Sequence, residues 1–355
     1  MRGIALIPGQ EVGSRDSIGG DIGVAFRPAD QGEAAMAMGR RLALALAAGM
    51  AARPATAQAN AALRIVVPFP PGGSVDIVAR ILQPKLQEVL GGTVVIENRG
   101  GAGGMIGTEG VARGTADGSV LVAGNIATHA INPAVYERMP YDPVADFAPV
   151  TLVAHVEFML AVHPAIPVLS VADLVAYARA NPTRLTYASA GSGSLPHLLT
   201  EMLKRGAGGI AIEHVPFRGG GQLLLDLTAG HVTMAIADVA GLSPHVRAGR
   251  LRGLAVAGAR RSAVFPDLPT ITETLPGVEG TAWHGIFAPA RTPPEAVARL
   301  NRALVTTLRD PLVQERMRGA GTEPVGSAPD ELARFQRAEI TKWAEIARAV
   351  GARAE

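Results

Sequence analysis

The sequence predicts an α/β fold of two lobes with a ligand cleft between them, and three observations predict it. Short apolar strands alternate with helices along the chain, the order that builds a largely parallel sheet. One local unit, a strand running through a small-residue turn into a helix start, recurs near residues 65–82, 185–204 and 213–227. An apolar stretch, Thr281–Pro289, then reads as a strand returning to the first β/α set after a second set has been inserted. Two crossings between two such sets describe a cleft that closes by hinge rotation around a small ligand. The expected division is 62–155 with 282–355 for lobe one and 156–281 for lobe two.

The chain is organised around Arg64–Arg80, RIVVPFPPGGSVDIVAR. Ile65, Val66 and Val67 form a β-branched run that reads as a buried strand. Pro68, Pro70 and Pro71 end it, because proline cannot donate to a sheet ladder. Gly72 and Gly73 allow the turn, and Ser74 is expected to cap a helix whose apolar stripe is Ile77, Val78, Ile81 and Leu82. A helix start of this kind presents unpaired N–H groups and suits a carboxylate or phosphate. An ordinary strand-to-helix connection has the same residues, so this unit alone does not define a site.

Thr93–Ile96 is the second strand, followed by the glycine loop Gly100–Gly104, the helix Met105–Arg113 and the strand Val120–Val122. The loop is not a dinucleotide fingerprint. Gly101 and Gly103 would need a glycine at 106, where Ile106 stands, and no acidic residue follows at the next strand end. Thr128 and His129 lie beyond that strand end, where open α/β sheets bind ligands, and are candidate wall residues. Pro133–Pro149 reads as an extended surface loop and Val150–Val162 as containing one strand. A helix follows from Ser170. Strand Leu185–Ala188 opens into Ser189-Ala190-Gly191-Ser192-Gly193-Ser194 and a helix Leu195–Lys204. His214–Phe217 leads into Arg218 and Gly219–Gly221. Strand Val232–Ala237 ends at Asp238, and Leu251–Ala257 is the last strand of the inserted set. Amphipathic helices Pro294–Leu308 and Pro329–Val350 are expected to pack back on the first lobe.

Composition removes several function classes. The 355 residues are 48% hydrophobic and 18% charged, which fits a globular chain of two lobes with sizeable cores. Net charge is +2, with arginines scattered and no basic run interleaved with aromatics, so no nucleic-acid footprint is present. With no cysteine there are no disulfides, thiolate metal sites or cysteine nucleophiles. Gly191-Ser192-Gly193 does not complete a G-x-S-x-G elbow, His197 and Glu201 sit at ordinary helical spacing, and no H-E-x-x-H pattern occurs. What recurs is hydroxyls and glycines at helix starts, which bind anions and do not activate water.

Residues 36–59 read as a bacterial secretory signal peptide. Arg40 and Arg41 precede the apolar run Leu42–Ala52, which is shorter than the roughly 20 residues of a spanning helix. Ala55-Thr56-Ala57 and Ala57-Gln58-Ala59 are small-x-small cleavage sites, so the mature chain is expected to begin near Gln58 or Asn60. Residues 1–35 are expected to be a non-native upstream extension, with translation starting at Met36 or Met38. Export to the periplasm follows, by the general or the twin-arginine route.

From Leu63 onward the chain resembles the periplasmic solute-binding proteins of tripartite tricarboxylate transporters, the Bug or TctC family. The resemblance is carried by Val67-Pro68-Phe69-Pro70-Pro71-Gly72-Gly73 with Asp76 and Ala79-Arg80, and by Glu97-Asn98-Arg99 with Gly101–Gly104. His129–Pro133, Pro140–Pro143, Tyr187-Ala188-Ser189, His214–Phe217, Pro244-His245 with Arg247-Ala248-Gly249, and Ala288-Pro289 follow in order. Gly100 stands where the family commonly has proline, and Ala237-Asp238 where it has an aspartate-asparagine pair, which leaves the ligand's identity open. The resemblance implies a type II periplasmic-binding-protein fold, no enzyme activity, no cofactor and no metal. It implies a small carboxylate ligand (dicarboxylate, tricarboxylate, acidic amino acid or aromatic acid) and delivery to the membrane permease subunits of such a transporter. A monomer is expected. The alternative is a carboxylate-sensing binding protein in signalling, without a dedicated permease. The candidate ligand contacts are Phe69, Pro70, Gly72, Gly73, Ser74, Asp76, Thr128, His129, Ser189, Gly191, Ser192, Gly193, Ser194, Arg218, Gly219 and Asp238. Within this set, loop Ser189–Ser194 is expected to seat a carboxylate jointly with loop Phe69–Ser74 and Thr128.

Overall fold

The computed structural model describes residues 62–354 apart from Arg218, together with Gly23 and Ala25. The expected extension and signal peptide fall outside the described residues, those two aside. Lobe one opens with β1 (Leu63–Val67), α1 (Ser74–Leu90), β2 (Val94–Asn98), α2 (Met105–Ala112), β3 (Val120–Asn125), α3 (Asn132–Val135) and β4 (Phe147–Val156). Lobe two holds β5 (Phe158–Val162), α4 (Val171–Ala180), β6 (Thr186–Ser189), α5 (Leu195–Gly206), β7 (Glu213–Pro216), α6 (Gly220–Ala229), β8 (Met234–Asp238), α7 (Val239–Arg247) and β9 (Arg252–Val256). The chain returns with β10 (Ala282–Pro289), α8 (Pro294–Leu308), α9 (Pro311–Gly319), β11 (Thr322–Pro324) and α10 (Pro329–Val350).

Each lobe is built on its own sheet, ordered β11-β4-β10-β3-β1-β2 in lobe one and β7-β6-β8-β5-β9 in lobe two. β1 pairs in parallel with β2 and β3, and β6 with β7 and β8. The strands at the crossings, β10 and β5, are antiparallel to their neighbours. The Ile65–Val67 end of β1 is a continuous apolar run because helices cover both its faces. Leu63, Ile65 and Val67 pack with α1 and α8 residues such as Leu82, Leu86 and Leu304. Val66 faces the other way, into a core that contains Trp283, Phe287 and Trp343 and continues into lobe two through Tyr187, Leu199 and Leu203.

Three expectations change here. The stretch Val150–Val162 is two strands, β4 in one sheet and β5 in the other, with Glu157 as the joint. Glu157 O accepts from Val239 N at 2.9 Å, and its carboxylate accepts from the Ser262 hydroxyl. Alternation cannot reveal such a joint, since residues on both sides of it are buried apolar ones. The return crossing runs beside it: Ala257 N donates to Phe158 O and Gly280 N to Ala257 O, both at 2.8 Å. Second, the Pro133–Pro149 region is no surface loop throughout. It contains part of α3 and the start of β4, and Tyr141 and Phe147 are buried against the His129 ring, where their large apolar area leaves water. Third, α10 packs on lobe two as well as lobe one, against α5. The indole N–H groups of Trp283 and Trp343 both donate to Glu339 Oε2, at 3.0 and 2.9 Å, tying α10 to the return crossing.

Candidate ligand cleft

The first loop, Phe69–Ser74, is held by a buried carboxylate. Asp76 is 3% exposed and accepts from Gly72 N at 2.9 Å, Asn98 Nδ2 at 2.9 Å and Arg80 Nε at 3.0 Å. Asn98 Nδ2 also donates to Phe69 O at 3.1 Å, so one cluster fixes both ends of the turn. Burial alone would raise the Asp76 pKa, but the bonds from Arg80, Gly72 and Asn98 outweigh it and hold the carboxyl below its ordinary range. Asp76 therefore organises the loop from within. Gly73, with φ −77° and ψ 165°, occupies the helix cap position expected of Ser74. Ser74 instead is the first helical residue, and its hydroxyl lies 3.1 Å from His284 Nε2 on β10. Pro70, Gly72 and Gly73 are exposed and Phe69 half-buried.

His284 was not among the sequence candidates, although it follows Trp283 at the start of the returning strand. It is buried, and burial pushes its pKa down to about 4, so it is neutral at neutral pH. Asn125 was missed as well. Its side-chain oxygen accepts from Ala127 N and Thr128 N, both at 3.1 Å, and shapes the π-helical turn Ala127–Ile131 after β3.

Thr128 and His129 are both fully buried. The Thr128 hydroxyl lies 2.8 Å from His129 Nδ1 and accepts from Asn125 N at 3.1 Å. The His129 ring stacks on Phe287 at 3.9 Å, and burial lowers its pKa to about 3. Neither side chain reaches the surface in this structure. Gly104, itself buried, and the Phe69 ring pack close to Thr128: a Cβ added to Gly104 (φ +88°) would lie 2.6 Å from Thr128 Cγ2 and 2.9 Å from Phe69 Cζ. Glycine is required there by both backbone and space.

The second loop, Ser189–Ser194, is held by neutral groups. Ser189 is fully buried, and its Oγ accepts from Gly191 N at 3.1 Å and lies 2.7 Å from His214 Nε2. Gly191 O accepts from Ser194 N and Ser194 Oγ, at 3.1 and 2.6 Å. Gly193 N donates to His197 Nδ1 at 3.0 Å. Ser192 is left without a hydrogen-bond partner among the described residues. Gly193 has φ +78°, and a Cβ on it would lie 2.9 Å from Val135 Cγ2 and 3.3 Å from Ala354 Cβ. This loop of lobe two therefore meets lobe one at α3. The next residue, Tyr136, has its hydroxyl 2.8 Å from where a Cβ on Gly103 would stand, so α3 separates the second loop from the glycine loop.

Of the remaining candidates, Gly219 is half-buried and caps α6, and Asp238 caps α7 by accepting from Gly241 N at 2.7 Å. Arg218 lies outside the described residues. Among the described residues there is no group of His, Asp or Glu side chains able to hold a metal ion. A hollow of about 260 Å³ between α5 and the end of α10 is lined by Glu201, Lys204 and Arg205, but Glu201 and Lys204 pair with each other at 2.7 Å and Arg205 donates to Ala349 O.

Two β/α lobes joined by paired crossings, with glycine-serine helix starts on each, define a two-lobed ligand-binding protein. Residues 78–352 match the model of the "Tripartite tricarboxylate transporter family receptor" family, TctC, and the chain belongs to that family. The Bordetella pertussis protein BugT is 36% identical over 293 residues, covering 82% of this chain and 90% of BugT. An R. palustris protein solved with adipate superposes with a TM-score of 0.78 at 38% identity, covering 82% of this chain and 98% of that one. MatC from Rhodopseudomonas palustris, solved with bound malate, gives 0.73 at 32% identity, covering 80% and 98%. The periplasmic binding protein BugD superposes as well, with a TM-score of 0.76 at 32% identity, covering 82% of this chain and 98% of that one, in keeping with the two-lobed fold expected above. Among the described residues no helix is long and apolar enough to cross a membrane.

Proposed function

We propose that the protein captures a small dicarboxylate in the cleft between its lobes and hands it to the membrane permease of a tripartite tricarboxylate transporter. The observation that supports this most directly is that relatives at 38% and 32% identity, aligned over nearly their whole length, were solved with adipate and malate. The local chemistry agrees. The helix start at Gly73-Ser74 and residue Ser192 of the second loop offer N–H and hydroxyl donors, glycine allows close approach, and donors to a charged group contribute about 1.5–3 kcal/mol each. The nearby arginines Arg80 and Arg99 are already paired with Asp76 and Glu97. The contact set carried forward is Phe69, Pro70, Gly72, Gly73 and Ser74 on lobe one with Gly191, Ser192, Gly193 and Ser194 on lobe two. In this reading the protein performs no catalysis, and the N-terminal signal peptide delivers it to the periplasm. The test is a thermal-shift screen of the mature chain with C4–C6 dicarboxylates, followed by calorimetry. A ligand at about 100 times its Kd adds about 2.7 kcal/mol of stability. Failure of every dicarboxylate to raise Tm, with a protein that melts cooperatively, overturns the proposal.

A further inference from the structure

The second loop carries a device that its sequence neighbours do not explain. Three rings form one stack: Tyr187 lies on His214 at 4.7 Å and 14°, and His214 on His197 at 4.4 Å and 13°. They come from β6, β7 and α5, so only the fold brings them together. The two imidazoles grip the loop at two points, His214 at the Ser189 hydroxyl and His197 at the Gly193 amide. The Gly193 N–H belongs to the rigid plane of the Ser192–Gly193 peptide. Turning that N–H toward His197 sends the Ser192 carbonyl the opposite way and sets how the Ser192 residue is presented.

We infer that His197 is a positioning residue for ligand capture: as the neutral imidazole with its proton on Nε2, it holds the Ser192–Gly193 peptide in the binding orientation, and protonation at Nδ1 releases it. This rests on the reading of loop Ser189–Ser194 as a carboxylate seat. The physical reason is donor–acceptor parity. An unprotonated Nδ1 accepts the Gly193 N–H, whereas an imidazolium sets an N–H against an N–H. Only glycine fits at this point of the loop, since an added Cβ would lie 2.9 Å from Val135 Cγ2 and 3.3 Å from Ala354 Cβ.

Burial, rather than the charged surroundings, favours the neutral form. Burial lowers the His197 pKa, Glu201 opposes this and Lys204 adds to it. Burial and His197 itself lower His214, to about 4. Glu201 is neutralised locally by Lys204 and by the Tyr187 hydroxyl, which donates to its Oε1 at 2.6 Å. From lobe one and the C-terminal segment the loop meets Val135 and Ala354, which do not titrate. The expected behaviour is tight capture at neutral pH and release as the solution becomes acidic, below the ordinary histidine range.

Two variants separate this from a merely structural role. His197→Phe keeps a ring in the stack and loses the acceptor. His197→Asn replaces the acceptor with an amide oxygen that does not titrate. In the ligand-free protein, amide exchange read by NMR should show Gly193 protected in the wild type, at least tenfold faster in His197→Phe, and protected again in His197→Asn. With adipate and malate as probes, calorimetry from pH 8 to pH 5 should show wild-type affinity falling toward acid. His197→Phe should be weaker by about tenfold at pH 8, the equivalent of about 1.4 kcal/mol, with the gap to wild type closing toward acid, and His197→Asn should keep only the fall that protonation of the ligand carboxylates causes. Unchanged Gly193 exchange in His197→Phe, or a wild-type pH profile in His197→Asn, overturns the inference. If the wild type binds neither probe, the proposed ligand class fails while the exchange measurement still decides whether His197 holds the loop.

Discussion

The two helix-start loops have similar sequences and different supports. Phe69–Ser74 is anchored by a charged group, the Asp76 carboxylate, which collects donors from Gly72, Asn98 and Arg80. Ser189–Ser194 is anchored by the stacked neutral imidazoles of His197 and His214. The first loop lies open on its own lobe, with Pro70, Pro71, Gly72 and Gly73 exposed. The second is wedged against the other lobe at Val135. Glycine plus serine at a helix start thus specifies an available donor set and nothing about rigidity. Rigidity comes from whichever buried group satisfies the remaining donors.

The largest test of this contrast is Asp76→Ala. It leaves Gly72 N and Asn98 Nδ2 without their carboxylate and is expected to cost about 3 kcal/mol, read from the denaturant midpoint at constant m. Dicarboxylate affinity should fall in parallel. A loss below about 1 kcal/mol would reduce the clamp to an ordinary surface ion pair.

The second test uses pH. Asp76 has a depressed native pKa, so its contribution is complete above the ordinary Asp range and is lost only as the pH falls through that lowered value. His214 also has a depressed pKa, but as a base: the unfolded chain takes up its proton near pH 6.5, while the folded chain waits until about 4. Stability supplied through His214 is therefore present above about pH 6.5 and declines between there and about 4. Denaturant melts at pH 7 and pH 4.5 should differ by about 2 kcal/mol from this group, and His214→Phe should remove that part of the difference. An equal pH dependence in the variant would locate the titration elsewhere, as at buried His129 or His284.

A smaller effect compares glycines. Gly193→Ala must adopt φ +78° and press on Val135, at a cost of about 1–2 kcal/mol. Gly73 has φ −77° and no neighbour nearer than 3.9 Å to an added Cβ, so Gly73→Ala should stay within about 1 kcal/mol. Thermal melts of the pair check this. The left-handed backbone also makes Gly193→Val a poor probe of steric blockade, because strain and blockade would be mixed. Ser192→Ala is cleaner. It should leave Tm unchanged and weaken a dicarboxylate by about ten- to a hundredfold, measured by calorimetry. Unchanged affinity would remove the Ser192 hydroxyl from the site.

Much of the architecture was legible because it rests on local periodicity. β1, the helices Pro294–Leu308 and Pro329–Val350, and the strand returning near Ala282 all follow from runs of apolar residues bounded by proline and glycine. The helix start at Ser170 was legible for the same reason, and the structure adds that the Ser170 hydroxyl caps it by accepting from Asp173 N. The ordered motifs were enough to indicate the family. The site was legible only as a set of loops. Which side chains face a ligand and which stand behind depends on partners far apart in sequence. Thr128 and His129 are buried because the turn after β3 packs on Phe287, a residue from the returning strand. His284 reaches Ser74 across 210 positions, and His197 meets His214 across adjacent elements of lobe two.

The sequence by itself determined the strand and helix order, the glycine turns that bring backbone donors to helix starts, and the family those motifs mark. Only the tertiary structure decided that Glu157 is a joint between two sheets, that α10 grips both lobes, and that one loop rests on a carboxylate and the other on neutral imidazoles. Periodicity reports which residues leave water. It carries no record of which buried polar groups meet, because that pairing is set by chain crossings and by the requirement that each desolvated donor find an acceptor.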